Sequence, residues 1–181
     1  MINFLLRISV VLFIIFLQIN FFNLIFLQDQ SINLAMLMII SWIIIRGFEK
    51  MWLWVVILGF LSDIFLGGRV GIHVVFFILF AYVISFISRR FIIERRFSGF
   101  ALVMIFILVG NFIFSLLDLF VKSNDFLGEM GIYIKNYFGQ GGKFFLASIL
   151  SGILFYLIYN LVSKVERYIA QNESRLKIPF N

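Results

Sequence analysis

The chain has 181 residues, of which 63% are apolar and 13% charged, with one Pro, one His, no Cys and a formal net charge of +6. A soluble domain is roughly 45–50% apolar, and one of this size could not hide the surplus except as large surface patches. Disorder is excluded by the same richness in apolar side chains. The composition therefore describes an integral membrane protein, and the long apolar runs describe helices, because barrel strands alternate polar and apolar residues. The absence of Cys removes disulfides, thiolate metal sites and thiol nucleophiles, and the lone His73 cannot build a multi-histidine metal centre within one copy.

Taken in chain order, apolar runs predict six spanning helices at about 8–27, 33–45, 51–66, 71–88, 100–121 and 144–162. A span needs about 20 residues at 1.5 Å rise, so the second and third are short and suit a tilted hairpin whose ends lie in the interface. The first run follows Arg7 but has no small-residue cleavage site after it, so it reads as a retained helix and not a signal peptide. The expected fold is an all-α six-transmembrane-helix bundle, one polytopic domain over 1–181. Between the fifth and sixth spans, Leu127, Met130, Ile134, Tyr137 and Phe138 recur at helical spacing and suggest a short interfacial helix, which Gly128 and Gly131 weaken.

Charge sets the orientation. With a cytoplasmic N-terminus, eleven of the 15 Lys and Arg fall inside, including Arg7, Arg46, Lys50, the run Arg89 to Arg96 and the C-terminal tail. Arg69, Lys122, Lys135 and Lys143 fall outside. The positive-inside rule then places both termini in the cytoplasm. The net positive charge points to anionic lipids at the inner face and not to nucleic acid. Trp42, Trp52 and Trp54 bracket the inner loop, where interfacial anchors belong.

The densest signal is the stretch from Gly59 to His73, which joins the third and fourth spans on the outer side. Gly67 and Gly68 permit a positive-φ turn, and Gly71 lets the next helix begin close by. Asp63 sits one turn before that stop, and an ionisable group at membrane depth is costly enough to count as a functional candidate. The plainer reading is a tie to Arg69 or His73 that holds the hairpin together; contact with a partner or ligand is the other. Asp118 lies at a similar depth near the outer end of the fifth span. Two such acids suggest an aspartyl hydrolase, but the residues around Asp118 lack signal-peptidase motifs, and a snorkelling acid near water is the plainer explanation. Gln18, Asn20, Asn23 and Asn111 suit hydrogen bonds between helices, and Ala147, Ser148, Ser151 and Gly152 form small-residue pairs for close packing within the bundle or on a partner. No catalytic constellation, cofactor motif or metal-ligand set is visible.

With Gly59, Asp63, Gly67, Gly71 and His73 in a hairpin, a polar first helix, Ala81-Tyr82 and an arginine-rich inner loop, the chain resembles the bacterial rod shape-determining MreD family. The family turn commonly holds Pro-Leu-Gly, where this chain has Arg69-Val70-Gly71. The resemblance implies a non-enzymatic scaffold of the bacterial inner membrane that binds MreC. It also implies a place in the cell-elongation assembly with RodA, a class B penicillin-binding protein and MreB, in control of cell shape and peptidoglycan synthesis. The alternative is the substrate-binding membrane subunit of an energy-coupling-factor vitamin transporter, with Asp63, Asp118 and Arg69 lining an outer pocket.

Overall fold

The computed structural model describes residues 2–22, 33–65, 71–90, 96–122, 128, 130, 131, 134, 135 and 141–176. Within these, side chains are described except at 2, 21, 22, 90, 96–100, 118, 121, 122, 141–148 and 173–176. The elements are α1 (Ile2–Leu17, continued by a π turn over Gln18–Phe22), α2 (Leu34–Arg46), α3 (Phe48–Phe65), α4 (Ile72–Arg90), α5 (Arg96–Lys122) and α6 (Gly141–Leu176). The protein is an all-α, multi-pass membrane helical bundle. By length and composition, α1, α4 and α6 each hold a stretch able to cross a bilayer, at Asn3–Asn20, Ile72–Arg89 and Ile149–Asn172. Leu34–Arg46 and Ala101–Leu117 are shorter apolar stretches.

The arrangement is a ring around one helix. α2 packs against all five others, and every residue from Leu34 to Ile43 is buried. A helix apolar on all sides belongs in the centre of a bundle. At 13 residues it spans about 20 Å, short of the roughly 30 Å core. Its neighbours shield its flanks from lipid, so the hydrocarbon thickness does not dictate its length. Its N-terminus is closed twice: Asn33 accepts the Met36 N–H at 3.0 Å, and Gln18 of the π turn accepts the Leu34 N–H at 2.6 Å. These two contacts satisfy donors that a helix start otherwise leaves bare. At the other end Gly47, at φ +80°, turns the chain directly into α3 while its N–H bonds back to Ile43.

The outer helices carry their apolar side chains outward. On α4, Val75, Leu79, Tyr82, Val83 and Phe86 are exposed, and on α6 Ile149, Ile153, Tyr156 and Leu157 are exposed. Water would not tolerate such faces; lipid does, and it offers no hydrophobic drive for helices to associate. Close packing and buried polar ties have to supply the cohesion. Gly110 of α5 shows the packing: a Cβ there would lie 2.7 Å from both Met36 of α2 and Phe80 of α4.

Several ends differ from the sequence reading. α1 begins at Ile2, so Arg7 sits inside the helix, and the expected continuation to Leu27 lies outside the described residues. α6 runs on to Leu176, well past Val162. Between α5 and α6, residues 128, 130, 131, 134 and 135 are helical; the rest of that segment lies outside the described residues. Two of the three tryptophans are not interfacial anchors. Trp42 and Trp54 are buried against each other with ring centroids 6.2 Å apart, and Trp52 alone is exposed. They line the α2–α3 packing surface because α2 is central, which the sequence position beside a charged loop does not reveal.

Candidate functional site: the hairpin at Asp63 and His73

α3 and α4 form the tightest pair in the bundle, and Gly59 is the reason they can. A Cβ at Gly59 would stand 2.7 Å from the Cα of Val74, so any side chain would push the helices apart. One turn further along α3 comes Asp63, with its side chain 0% exposed. Its Oδ2 accepts the Gly71 N–H at 2.7 Å and its Oδ1 accepts the His73 N–H at 3.0 Å. The carboxylate of one helix thus caps the N-terminus of the next. The positive end of the α4 dipole helps hold the negative charge there. Gly71 reaches this position at φ +104°, a left-handed conformation that favours glycine.

The third partner is the His73 ring, whose Nδ1 lies 2.8 Å from Asp63 Oδ1. Against an acceptor-only carboxylate, Nδ1 is the nitrogen that carries the proton. The ring is 9% exposed and lies between Phe77 of α4 at 5.7 Å and Phe114 of α5 at 4.7 Å between centroids. Phe76 also touches Phe114, at 5.2 Å. His73 therefore joins the hairpin to α5 through aromatic contacts, which contribute about 0.5–1.5 kcal/mol per pair beyond burial. With three N–H groups already bonded to it and no exposed surface, the Asp63 carboxylate is placed to hold backbone in position and not to activate a water molecule.

Of the other residues singled out from the sequence, Gly67 and Arg69 lie outside the described residues. So does the side chain of Asp118, whose backbone belongs to α5. Asp63 meets His73 and the backbone of Gly71. Ser151 and Gly152 are buried within the bundle, while the side chains of Ala147 and Ser148 lie outside the described residues. Gln18 does reach a neighbouring helix, but Asn20 bonds back to Phe16 O of its own helix at 3.0 Å, and Asn23 lies outside the described residues. Among the described residues, no three His, Cys, Asp or Glu side chains are grouped to hold a metal.

The chain matches the family model for the rod shape-determining protein MreD over residues 1–165. It belongs to the MreD family. The match takes in all of α1 to α5 and α6 as far as Val165, so both the hairpin and the central α2 fall within it. No curated protein and no solved structure gives a significant match.

A second polar centre escaped the sequence reading. Glu166 of α6 is 1% exposed and receives Arg7 of α1 and Arg46 of α2. Arg7 binds it through two nitrogens, Nε to Oε1 and a terminal nitrogen to Oε2, both at 2.9 Å. Arg46 Nε adds a bond to Oε2 at 2.9 Å, and its terminal nitrogen reaches the Glu166 carbonyl at 2.7 Å. The Arg7 guanidinium also sits 5.9 Å over the Trp54 ring. In the sequence, Arg7 and Arg46 count as inner-face charges and Glu166 as one acid in a mixed-charge tail; nothing in their spacing marks them as one cluster. At the same end Arg89 pairs with Glu49 at 2.7 Å on the surface. That hydrogen bond, with the Arg89 charge behind it, lowers the Glu49 pKa from its ordinary value.

Proposed function

We propose that the protein is a scaffold of the bacterial cell-elongation complex in the inner membrane. It binds MreC and, with RodA, a class B penicillin-binding protein and MreB, helps control cell shape and peptidoglycan synthesis. The observation that carries this reading is the family match across residues 1–165. Both termini are cytoplasmic, the orientation that retains eleven of the 15 basic residues inside. The Asp63–His73 tie supports a scaffold role by fixing the α3–α4 hairpin as a rigid unit, and rigid surfaces bind partners without an ordering cost.

The vitamin-transporter alternative needs an outer pocket with hydrogen-bonding groups. A cavity among the described residues, between α4 and α5, is lined by apolar residues such as Val75, Leu79 and Ile113; of the residues expected to line an outer pocket, Arg69 and the side chain of Asp118 lie outside the described residues. The test is co-purification. A C-terminally tagged chain, extracted from native membranes in mild detergent, is expected to bring down MreC and wall-elongation proteins. Recovery of ATPases with a second membrane subunit in their place would overturn the scaffold reading.

A further inference from the structure

The lipid-facing side of α6 holds a polar group that lipid cannot satisfy. Ile149, Ile153 and Tyr156 are exposed there, and Asn160 follows them half-buried. Steps of four, three and four residues put the four side chains in one stripe, the seam spacing of a left-handed coiled coil. At about 100° per residue, Asn160 falls between Ile153 and Tyr156 around the helix, in the middle of the exposed face. Glu166, six residues on, marks the polar end of the bundle with Arg7 and Arg46. Asn160 therefore lies about 9 Å from that end, towards the apolar middle of the helix. Among the described residues its carboxamide has no hydrogen-bond partner. Asn20, exposed on the first helix, differs: its amide nitrogen bonds back to Phe16 O at 3.0 Å.

We propose that this stripe is the contact face of a homodimer. The α6 helix of a second copy packs in parallel against it, and the two Asn160 side chains hydrogen-bond to each other. A carboxamide without a partner in hydrocarbon is costly, so whatever covers the stripe has to present a hydrogen-bonding group at the same depth. A second copy does so by symmetry. Identical chains carry the same charge bias and insert the same way round. A two-fold axis along the membrane normal then sets α6 beside α6 and residue 160 opposite residue 160. Asn suits such self-pairing because its amide both donates and accepts, and one Asn in an otherwise apolar seam fixes register and oligomer state. Ile149, Ile153 and Tyr156 supply the side-chain packing on which helix association in lipid depends. Past Asn160, Lys164 and Arg167 are exposed at the polar end of the bundle, where salt screens the like charges of two copies. The contact does not rest on the scaffold reading or on which end of the bundle is cytoplasmic.

The chain has no Cys, so single cysteines report contacts between copies directly in native membranes. Full-length Ile153→Cys and Tyr156→Cys are expected to form disulfide-linked dimers on mild oxidation. Leu79→Cys on α4 starts from a comparable exposure, 61% against 55% and 63%, and is expected to stay monomeric. Asn160→Leu, added to Ile153→Cys, is expected to weaken the dimer about tenfold in reconstituted bilayers, as the loss of two interhelical amide hydrogen bonds would. Asn160→Gln should restore part of that loss. Thermal unfolding of the Asn160→Leu monomer in dilute detergent is expected to match wild type, because nothing in its own chain holds the carboxamide. Equal crosslinking at positions 79 and 153 overturns the proposal, since it reports random collision. A lowered unfolding temperature for the Asn160→Leu monomer overturns it too, because Asn160 is then a tie within the bundle. So does a cysteine at position 153 that captures a different protein in place of a second copy.

Discussion

Asp63 and Glu166 are both buried carboxylates, 0% and 1% exposed, yet they hold the bundle together in opposite ways. They lie at opposite ends: Arg46, bound to Glu166, sits at the turn into α3, and Asp63 lies about 22 Å further along that helix. Asp63 takes its partners from the chain eight to ten residues ahead, and two of its three bonds come from backbone N–H groups. Glu166 takes its partners from side chains 120 and 159 residues away. The first cluster shapes a hairpin that local sequence nearly dictates. The second closes the first, second and last helices on one another, so it forms only when the whole bundle is assembled. A membrane protein without hydrophobic drive between its helices uses both: one tie to set a local angle, one to fasten distant elements.

That contrast can be broken or sharpened by substitution. The largest effect is expected at Glu166→Ala, which leaves two largely buried guanidiniums without their counter-ion. Breaking a buried pair from one side costs roughly 3–5 kcal/mol, so thermal unfolding in detergent should shift down steeply. Glu166→Gln should recover part of the loss by keeping an acceptor. Next comes Asp63→Ala, which strips two buried backbone N–H groups and the His73 ring of their acceptor. We expect a loss of roughly 2–3 kcal/mol, since unmet buried donors are costly but intramembrane polar ties measure low. Asp63→Asn should still fold and insert while weakening shape maintenance or partner capture; wild-type behaviour in both assays would leave Asp63 a purely structural tie. If Asp63→Ala destabilised the bundle more than Glu166→Ala, the long-range cluster would not be the stronger fastening.

Gly59→Ala is expected to cost about 1–3 kcal/mol by overpacking, because its new Cβ meets the backbone of Val74 and not a movable side chain. A cysteine crosslinking pair across α3 and α4 should then lose efficiency. The smallest effect belongs to Glu49→Gln. The folded-state pKa of Glu49 is lowered by Arg89, so its contribution is present above the ordinary carboxylate range and is lost as pH falls through the folded-state value. Wild type and variant should therefore differ slightly near neutral pH and converge in acid, and added salt should erase the difference.

Much of the Asp63 site was legible beforehand, because its members lie within 15 residues and each has a local signature. Glycines mark where backbone comes close or turns, an acid at membrane depth demands partners, and a His two residues after Gly71 stands at the helix start. His73 was one of the two partners the sequence offered for Asp63, beside Arg69; that two backbone N–H groups complete the set was not legible, since a helix start offers several donors at similar range. The Glu166 cluster was illegible for a different reason: its three residues carry no common motif, and each alone reads as ordinary inner-face charge.

Composition and hydropathy by themselves determined that the chain is a helical membrane protein, roughly where its apolar runs lie and which loop carries the densest polar signal. Those properties depend on each residue's transfer free energy and on a helix rise of 1.5 Å, both local. Tertiary structure decided which helix is central, that Trp42 and Trp54 are core, that Arg7, Arg46 and Glu166 meet, and that α4 and α5 part to leave a groove. These are matters of which faces touch. In a chain apolar on nearly every face, only close packing and a few paired charges select among the arrangements that lipid would equally allow.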